Sequence, residues 1–307
     1  MSSAAQRLPL NRFALGRQLT ALANASAQKM LNQSQAHVAH HLAHRIGLTG
    51  APGAGKSTLG GLLAMDRLKR EFSLQRLGVL AVDPSSPRSG GAILGDRIRM
   101  DELPGSSELF IRSLGSRNTA DGLADNLPEM LDLMDSFEFD EVFLETVGVG
   151  QAEYAVRLQV DTLILVLLPH SGDMVQAMKS GIMEMPDIFV VNKADLAGAD
   201  RTAADIERIN MLRKLTDLQW RPKVLLVSAS QPSSIEALSL EIDRHKDWLL
   251  TSGEQSKIQI ERARYRLRRI IERQLMSVIN QLNESDLQQS LPLQFEQVLK
   301  QVCRPAA

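Results

Sequence analysis

The 307 residues are enough for one large α/β domain with appendages or for two ordinary domains. Hydrophobic residues make up 44% and charged residues 23%, which excludes a largely disordered chain, and the formal net charge of −1 excludes a general attraction to polyanions. A single cysteine, Cys303, excludes an internal disulfide, and no apolar run approaches the roughly 18 residues that span a bilayer, so we expect a cytoplasmic protein without a nucleic-acid or membrane partner.

The hydrophobic pattern changes twice along the chain. Residues 1–45 show apolar residues near helical spacing, for example Leu15, Leu19 and Leu22, and we expect a helical extension there. From Ile46 to about Ser230, short apolar strands alternate with stretches of helix length, which predicts an α/β fold with a mostly parallel sheet covered by helices. The predicted strands are Leu77 to Val82, Val142 to Leu144, Leu163 to Leu168, Ile188 to Val191 and Val224 to Val227.

After Ser230 the pattern is again helical, from Ile235 to Leu250 and from about Lys257 to Leu282. We therefore expect three parts: an N-terminal helical extension at 1–45, an α/β domain at 46–250 and a C-terminal helical segment at 251–307. The second helical stretch carries six arginines, which could form a nucleic-acid patch. Their intervals spread them around a helix beside several acids, so an ordinary solvated surface is the better interpretation. The arginines are Arg262, Arg264, Arg266, Arg268, Arg269 and Arg273.

One motif matches the phosphate-binding P-loop pattern in full, between a short apolar segment and a helix-like stretch. Its glycines permit positive φ, so that backbone N–H groups can point at a phosphate chain near the positive end of the next helix. Lys56 would neutralise the terminal phosphates, and the Ser57 hydroxyl is suited to ligate Mg²⁺. The motif comprises Gly50, Ala51, Pro52, Gly53, Ala54, Gly55, Lys56 and Ser57, followed by Thr58.

A second motif favours guanine over adenine. Asn192-Lys193-Ala194-Asp195 follows a predicted strand, where ligands of α/β proteins bind. A carboxylate at Asp195 can accept hydrogen bonds from the guanine N1–H and N2 amine, a donor pair that adenine lacks. The next strand ends at Ser228, Ala229 and Ser230, and we expect Ser228 and Ala229 to present backbone N–H groups to the guanine O6.

Carboxylates at strand ends are the candidates for the remaining magnesium ligands. Asp83 and Glu145 each end a predicted strand, and Asp96 lies in the loop between them. Asp83 could instead form an Asp-Pro turn and Asp96 could be a solvated loop acid. Glu145 is harder to explain otherwise, because a carboxylate after a buried strand is costly without a cation or donors.

Two further features have competing interpretations. Gln151, after the glycines that follow Glu145, could orient the attacking water, or could be an ordinary surface glutamine. Four histidines before the P-loop include i,i+4 pairs that could hold a metal, but they have no cysteine or carboxylate nearby, so ordinary helix residues are the better interpretation. These histidines are His37, His40, His41 and His44.

These motifs together resemble the MeaB/ArgK GTPases, chaperones of adenosylcobalamin-dependent acyl-CoA mutases, over roughly residues 46–250. The likeness rests on GAPGAGKST at 50–58, VLAVDPSSP at 79–87, SGGAILGDRIRM at 89–100, FIRSLGSR at 110–117, ETVGVGQ at 145–151 and NKAD at 192–195. Within this stretch the chain departs from the family pattern at residues 118–122, where the family has a glycine-rich stretch, and at Ala152, where the family usually has serine.

The resemblance implies a homodimeric GTPase that gates cobalamin loading and protects the mutase, is slow alone and is stimulated by its partner. It implies GTP or GDP as ligand, Mg²⁺ held by Ser57, Asp83, Asp96 and Glu145, catalysis by Lys56, Glu145 and Gln151, and dimerisation through 251–307. It also implies a further switch in which Asp173, Gln176 and Lys179 couple to the partner. Two alternatives remain: an ATP-dependent kinase linked to arginine/ornithine transport, and a nucleotide-binding scaffold with little turnover.

Overall fold

The computed structural model describes residues 8–33, 42–70, 76–83, 108–115, 122–146, 151–169, 181–213, 216 and 218–302, leaving out the side chains of 83 and 151–153. The chain folds as two compact units. One comprises Met1–Ala23 with Ala39–Ile258, and the other comprises Asn24–Val38 with Gln259–Ala307.

The first unit contains a seven-stranded sheet with every described strand pair parallel, in the order β3-β2-β4-β1-β5-β6-β7. The predicted fold class is therefore confirmed. β1 lies at the centre, and the chain places β2 to β4 on one side of it and β5 to β7 on the other. The strands are β1 (His44–Thr49), β2 (Leu77–Asp83), β3 (Leu109–Gly115), β4 (Glu141–Thr146), β5 (Thr162–Leu167), β6 (Ile188–Asn192) and β7 (Lys223–Val227).

Helices cover both faces of this sheet. Among its described residues, the first unit has the helices α1 (Arg12–Ala23), α3 (Lys56–Lys69), α4 (Leu127–Ser136), α5 (Gln151–Arg157), α6 (Ala199–Met211) and α7 (Pro232–Ser252), and a 3₁₀ turn at Ile182–Glu184. Alternate residues of β5 and β6 enter two separate cores, so Ile164 packs with α3 and α7 whereas Leu165 packs with α6. This double burial explains why β5 and β6 are almost entirely apolar.

The sequence did not reveal β3. This edge strand has intermediate burial along most of its length, because its partner β2 covers one side only. It carries Arg112, whose guanidinium donates to the Gly16 carbonyl (2.7 Å) and to Thr20 Oγ1 (2.9 Å) of α1. This charged residue in the middle of the strand interrupts the apolar pattern. The oxygen atoms that accept its hydrogen bonds belong to residues almost a hundred positions earlier, so the local sequence gives no sign that the charge is satisfied.

The N-terminal region contains two helices where the sequence suggested one continuous stretch. α1 ends at Ala23, and α2 (Ala27–Gln33) belongs to the second unit. Ser26 Oγ accepts a hydrogen bond from the Lys29 backbone N–H at 3.2 Å, so a serine cap starts the new helix. β1 also begins at His44, two residues before the apolar segment that we identified.

The described part of the second unit is helical, with α2, most of α8 (Glu254–Ile279, which begins in the first unit), α9 (Glu284–Leu287) and α10 (Leu291–Val302). The Arg273 guanidinium donates to the Ala25 carbonyl at 3.1 Å, and Gln274 Nε2 donates to Gln28 Oε1 at 2.8 Å. Gly253, at φ 76°, ends α7 in the left-handed region before α8 begins. Across the parts of both units that the structure describes, no helix combines the length and apolar character needed to cross a membrane.

Candidate nucleotide-binding site

The predicted P-loop lies between β1 and α3, at the carboxyl edge of the sheet where the strand order reverses. Ligands of open α/β sheets bind at such a point. Gly50, Gly53 and Gly55 have φ of 138°, 77° and 86°. A Cβ on Gly50 would collide with the Val166 carbonyl oxygen, and one on Gly55 would lie 2.5 Å from the Asn192 side-chain nitrogen. Both positions therefore require glycine for backbone conformation and for space.

Lys56 begins α3 and is buried, with an exposed fraction of 4%. Its Nζ donates to the carbonyl oxygens of Gly50 (2.9 Å) and Ala51 (3.0 Å), so the ammonium lies over the loop. Gly55 caps α3 without a side chain, which leaves the helix N-terminus to the loop. A fixed cation and the positive end of a helix thus face the same concave stretch of backbone, an arrangement suited to phosphate.

The proposed magnesium ligands Ser57 and Glu145 are in contact. Ser57 Oγ donates to Glu145 Oε1 at 2.7 Å, and Glu145 is buried at the end of β4, next to β1. Asp83 ends β2, two residues beyond the Ala81 that pairs with Glu145, so its backbone lies at the same sheet edge. Asp96 and the Gln151 side chain lie outside the described part of the structure, although Gln151 itself begins α5.

A hydroxyl and a carboxylate side by side at a phosphate-binding loop fit a magnesium ion, which prefers oxygen ligands and completes its shell with water and substrate phosphates. The two described members of the predicted set, Ser57 and Glu145, therefore suit this group in type and position. The guanine motif lies beside them, because β5 separates β1 from β6.

The first two residues of the guanine motif reach back to the P-loop. Asn192, buried at the end of β6, donates from Nδ2 to the Ala54 carbonyl at 2.8 Å. Lys193, in the left-handed region at φ 54°, donates from Nζ to the Gly53 carbonyl at 3.3 Å. Two loops separated by almost 140 residues are therefore joined by hydrogen bonds, which fix the loop of the predicted guanine motif relative to the P-loop.

The Asp195 side chain is exposed, and its carboxylate accepts a hydrogen bond from the neighbouring loop. Ser228 Oγ donates to Asp195 Oδ1 at 2.5 Å, and this hydrogen bond is the main cause that lowers the pKa of the Asp195 carboxyl. The Ala194 N–H donates to the Val227 carbonyl at 3.0 Å, which extends the β6–β7 pairing into the loop. The hydrogen bond from Ser228 therefore favours the carboxylate form and orients it, as an acceptor of two base N–H groups should be.

The structure shows a role for Ser228 that the sequence did not indicate. We expected its backbone N–H to face the guanine O6, but that N–H donates to Ser234 Oγ at 3.1 Å. Its hydroxyl instead orients Asp195 and lies 2.8 Å from Ser230 Oγ, while the Ser230 N–H points at the same hydroxyl at 3.3 Å. A serine at the end of the strand adjacent to the guanine motif was the available signal, because Asn192 pairs with Val227.

Comparison with known proteins places this geometry in a family. A Pyrococcus abyssi protein whose name assigns it to the GTPases is 38% identical over 265 residues, covering 85% of this chain and 78% of the relative. The mouse mitochondrial methylmalonic aciduria type A homolog is 38% identical over 237 residues, covering 76% of this chain and 55% of that protein. A crystal structure described as LAO/AO transport system kinase covers 97% of this chain and 100% of its own, with a TM-score of 0.60 and 22% identity, and so shows a common fold.

The model of the family described as methylmalonyl-CoA mutase-associated GTPase MeaB matches residues 15–284, which include both nucleotide loops and every strand of the sheet. The chain therefore belongs to the MeaB family of GTPases.

Proposed function

We propose that this chain hydrolyses GTP in a magnesium-dependent reaction at the site formed by the P-loop and the guanine motif. The observation that carries the proposal is the joining of the two loops by the Asn192–Ala54 hydrogen bond, beside an Asp195 carboxylate oriented by Ser228. Phosphate recognition and base recognition thereby share one frame. Either loop alone would leave the nucleotide class open.

The chain's own residues have distinct tasks in this proposal. The backbone of residues 50–55, the N-terminus of α3 and the Lys56 ammonium bind and orient the phosphates. Ser57, Asp83, Asp96 and Glu145 would hold Mg²⁺, which when bound offsets the negative charge that develops on the phosphate oxygens. Gln151 would orient the attacking water from the first turn of α5. Phosphate release from GTP by the purified chain, with and without EDTA, tests the magnesium requirement.

We further propose a partner, a cobalamin-dependent acyl-CoA mutase, whose cofactor loading and protection the nucleotide state gates in the cytoplasm. The family description, which names methylmalonyl-CoA mutase, and the mouse relative support this choice. Turnover would then be slow alone and faster with the mutase. The kinase alternative gains no support from the transport-kinase structure, because 22% identity indicates the fold alone. A scaffold without turnover would show no acceleration by the mutase.

Alanine at Asp173, Gln176 or Lys179 is expected to remove the acceleration by the mutase and to leave intrinsic hydrolysis unchanged. These positions follow β5 at i, i+3 and i+6, but they lie outside the described residues, so their assignment as coupling residues is a proposal. Coupling between two binding sites typically amounts to about 5- to 150-fold. Hydrolysis is measured at saturating GTP with and without methylmalonyl-CoA mutase. Full stimulation in all three variants would refute the assignment, and loss of intrinsic hydrolysis would place them in the nucleotide site.

We also propose a homodimer through the C-terminal helices. Ile260, Leu267 and Ile271 share one face of α8 and are 52%, 59% and 47% exposed, and α10 presents Leu291 and Phe295 at 76% and 62%. Exposed apolar stripes of this kind mark protein interfaces, and the predicted occupant is the same segment of a second copy.

Leu267→Lys should weaken such a dimer by about 100-fold or more, because it places an unpaired charge at the centre of the apolar stripe. Glu272→Ala is the matched control on the same helix, since Glu272 is exposed, pairs with Arg268 and lies about 120° around the helix from Ile260, off the apolar stripe. Sedimentation equilibrium over a concentration series gives the dissociation constant. A wild-type chain that remains monomeric, or a Leu267→Lys dimer as tight as the control, would refute this interface.

A further inference from the structure

A buried polar cluster lies at the edge of the sheet opposite the nucleotide site. His44 and Thr162 are the first residues of β1 and β5, and Asp187 immediately precedes β6. His245 projects from the middle of α7 into this edge and is fully buried, as is Thr162. The proposed GTPase chemistry uses none of these groups.

Thr162 joins the two imidazole rings. Its Oγ1 lies 2.8 Å from His44 Nε2 and 2.8 Å from His245 Nδ1. His245 Nε2 lies 3.5 Å from Asp187 Oδ1, an electrostatic contact longer than a good hydrogen bond. His44 Nδ1 lies 4.0 Å from Asp161 Oδ2. The polar groups therefore form a chain that crosses from β1 through β5 to α7.

The single hydroxyl proton gives this chain a direction. Thr162 can donate to only one of the rings and must accept from the other, because it has one O–H and both contacts have hydrogen-bond length. The closer carboxylate, Asp187, favours the proton of His245 on Nε2, so Thr162 donates to His245 Nδ1 and accepts from His44 Nε2–H. Both rings are then neutral, and each of the two hydrogen bonds has one donor and one acceptor.

The chain's two tryptophans are part of the same cluster. The Trp220 ring lies edge-on to His245 with centroids 4.8 Å apart, and the Trp248 ring stacks on His245 at 5.6 Å. Trp220 Nε1 also donates to the Asp187 carbonyl at 2.8 Å. Aromatic packing and the polar chain thus hold α7 and the segment before β7 together against the sheet.

We propose that His44, Thr162 and His245 form an acid-sensitive latch, which fastens α7 and Trp220 to the starts of β1 and β5 only while both rings are neutral. Protonation of either ring would place a charge inside this buried cluster. A second proton on His245 would sit on Nδ1 and leave the buried Thr162 O–H without its acceptor, which is costly.

The surrounding charges act in both directions on the two rings. Burial is the largest cause that lowers the pKa of His44 to about 4; Asp161 opposes it, whereas Lys246, His245 and Arg67 add to it. Burial is also the largest cause that lowers the pKa of His245. Arg157 lowers this pKa further, whereas the carboxylates of Asp187, Asp161 and Glu241 raise it. A folded-state pKa below the unfolded value of 6.5 means that the latch stabilises fully above pH 6.5, and that this stability is lost as the pH falls towards 4.

The test compares urea unfolding of the full chain with that of His44→Gln, followed by tryptophan fluorescence between pH 8 and pH 5. Glutamine keeps an amide donor near the Nε2 position without titrating, so the ratio of the two folding constants reports the titration of His44 together with its coupling to His245. That ratio, wild type over variant, should fall about 30-fold between pH 8 and pH 5. At pH 5, which is 1.5 pH units below the unfolded-state pKa of 6.5, His44 is protonated in the unfolded chain but remains mostly neutral in the folded chain. A ratio independent of pH would overturn the proposal.

A second measurement needs no variant. Nitrogen NMR of the histidine rings in the wild-type chain should show His44 neutral down to pH 5 and His245 titrating below the ordinary histidine pKa, with both neutral rings protonated on Nε2. His245→Asn, whose side-chain oxygen can accept from Thr162 in place of Nδ1, assigns the ring signals. Titration of either ring near the ordinary histidine pKa, or a proton on His44 Nδ1 in place of Nε2, would contradict the latch even if His44→Gln failed to fold.

Discussion

Lys56→Ala is expected to lower GTP turnover by about 100- to 1000-fold and to weaken nucleotide binding strongly, the scale seen when one fixed electrostatic contact to a transition state is removed. The ammonium lies over the phosphate loop, 2.9 Å from the Gly50 carbonyl and 3.0 Å from that of Ala51. A bound phosphate chain would face this buried cation, and no flexible surface lysine could replace its position. Phosphate release at saturating GTP and equilibrium binding of a fluorescent GDP analogue measure the two losses.

Lys69→Ala is the matched control, because Lys69 is an exposed lysine at the last position of the same helix. It should bind and hydrolyse GTP as the wild-type chain does. Thermal unfolding of both variants shows whether the loss of the two Lys56 hydrogen bonds has disturbed the fold. Normal turnover in a folded Lys56→Ala variant would refute the assignment of residues 50–57 as the phosphate site.

Asp195→Asn is expected to weaken GTP binding by about 100-fold or more and to improve binding of xanthosine triphosphate. A site built around a base donor pair discriminates strongly once one of its partners no longer fits. The carboxylate accepts from the N1–H and the N2 amine of guanine, whereas an amide can donate to the oxygen that xanthine carries in place of that amine. Competition against a fluorescent GDP analogue gives both affinities.

Ser228→Ala separates two roles: direct binding of the base by Asp195, and orientation of the Asp195 carboxylate by Ser228. Ser228 Oγ contacts Asp195 Oδ1 at 2.5 Å, so its loss should weaken GTP binding by about 10-fold and should give no gain for the xanthine nucleotide. The thermal stability of each variant provides the folding control. Unchanged GTP affinity in Asp195→Asn, without a gain for the xanthine form, would exclude Asp195 as the base-reading residue.

Much of the fold could be predicted because its central strands are buried on both faces. β5 and β6 are continuous apolar runs bounded by polar turns, and each was predicted within one residue of its observed bounds. β3 was missed because Arg112 interrupts its pattern, and the oxygens that satisfy this arginine belong to α1. A single-sequence pattern contains no information about such a distant partner.

The candidate site could be predicted as two motifs, but their junction could not. The spacing of the P-loop follows from local chemistry, since phosphate needs glycine conformations and a helix N-terminus. The Asn192–Ala54 hydrogen bond and the Ser228–Asp195 contact depend on which strands are neighbours and in which register they pair. The His44–Thr162–His245 chain likewise requires three elements to meet. Contacts of this kind follow from the sheet order and not from any local pattern.

The central claim is that one nucleotide site reads guanine. The most direct measurement displaces a fluorescent GDP analogue from the purified full-length chain with unlabelled GDP and, in parallel, with ADP at the same magnesium concentration. We expect GDP to compete at concentrations at least about 100-fold lower than ADP, as befits a site with a paired carboxylate for the guanine edge. Equal competition by ADP and GDP, or failure of both to displace the analogue, would contradict it.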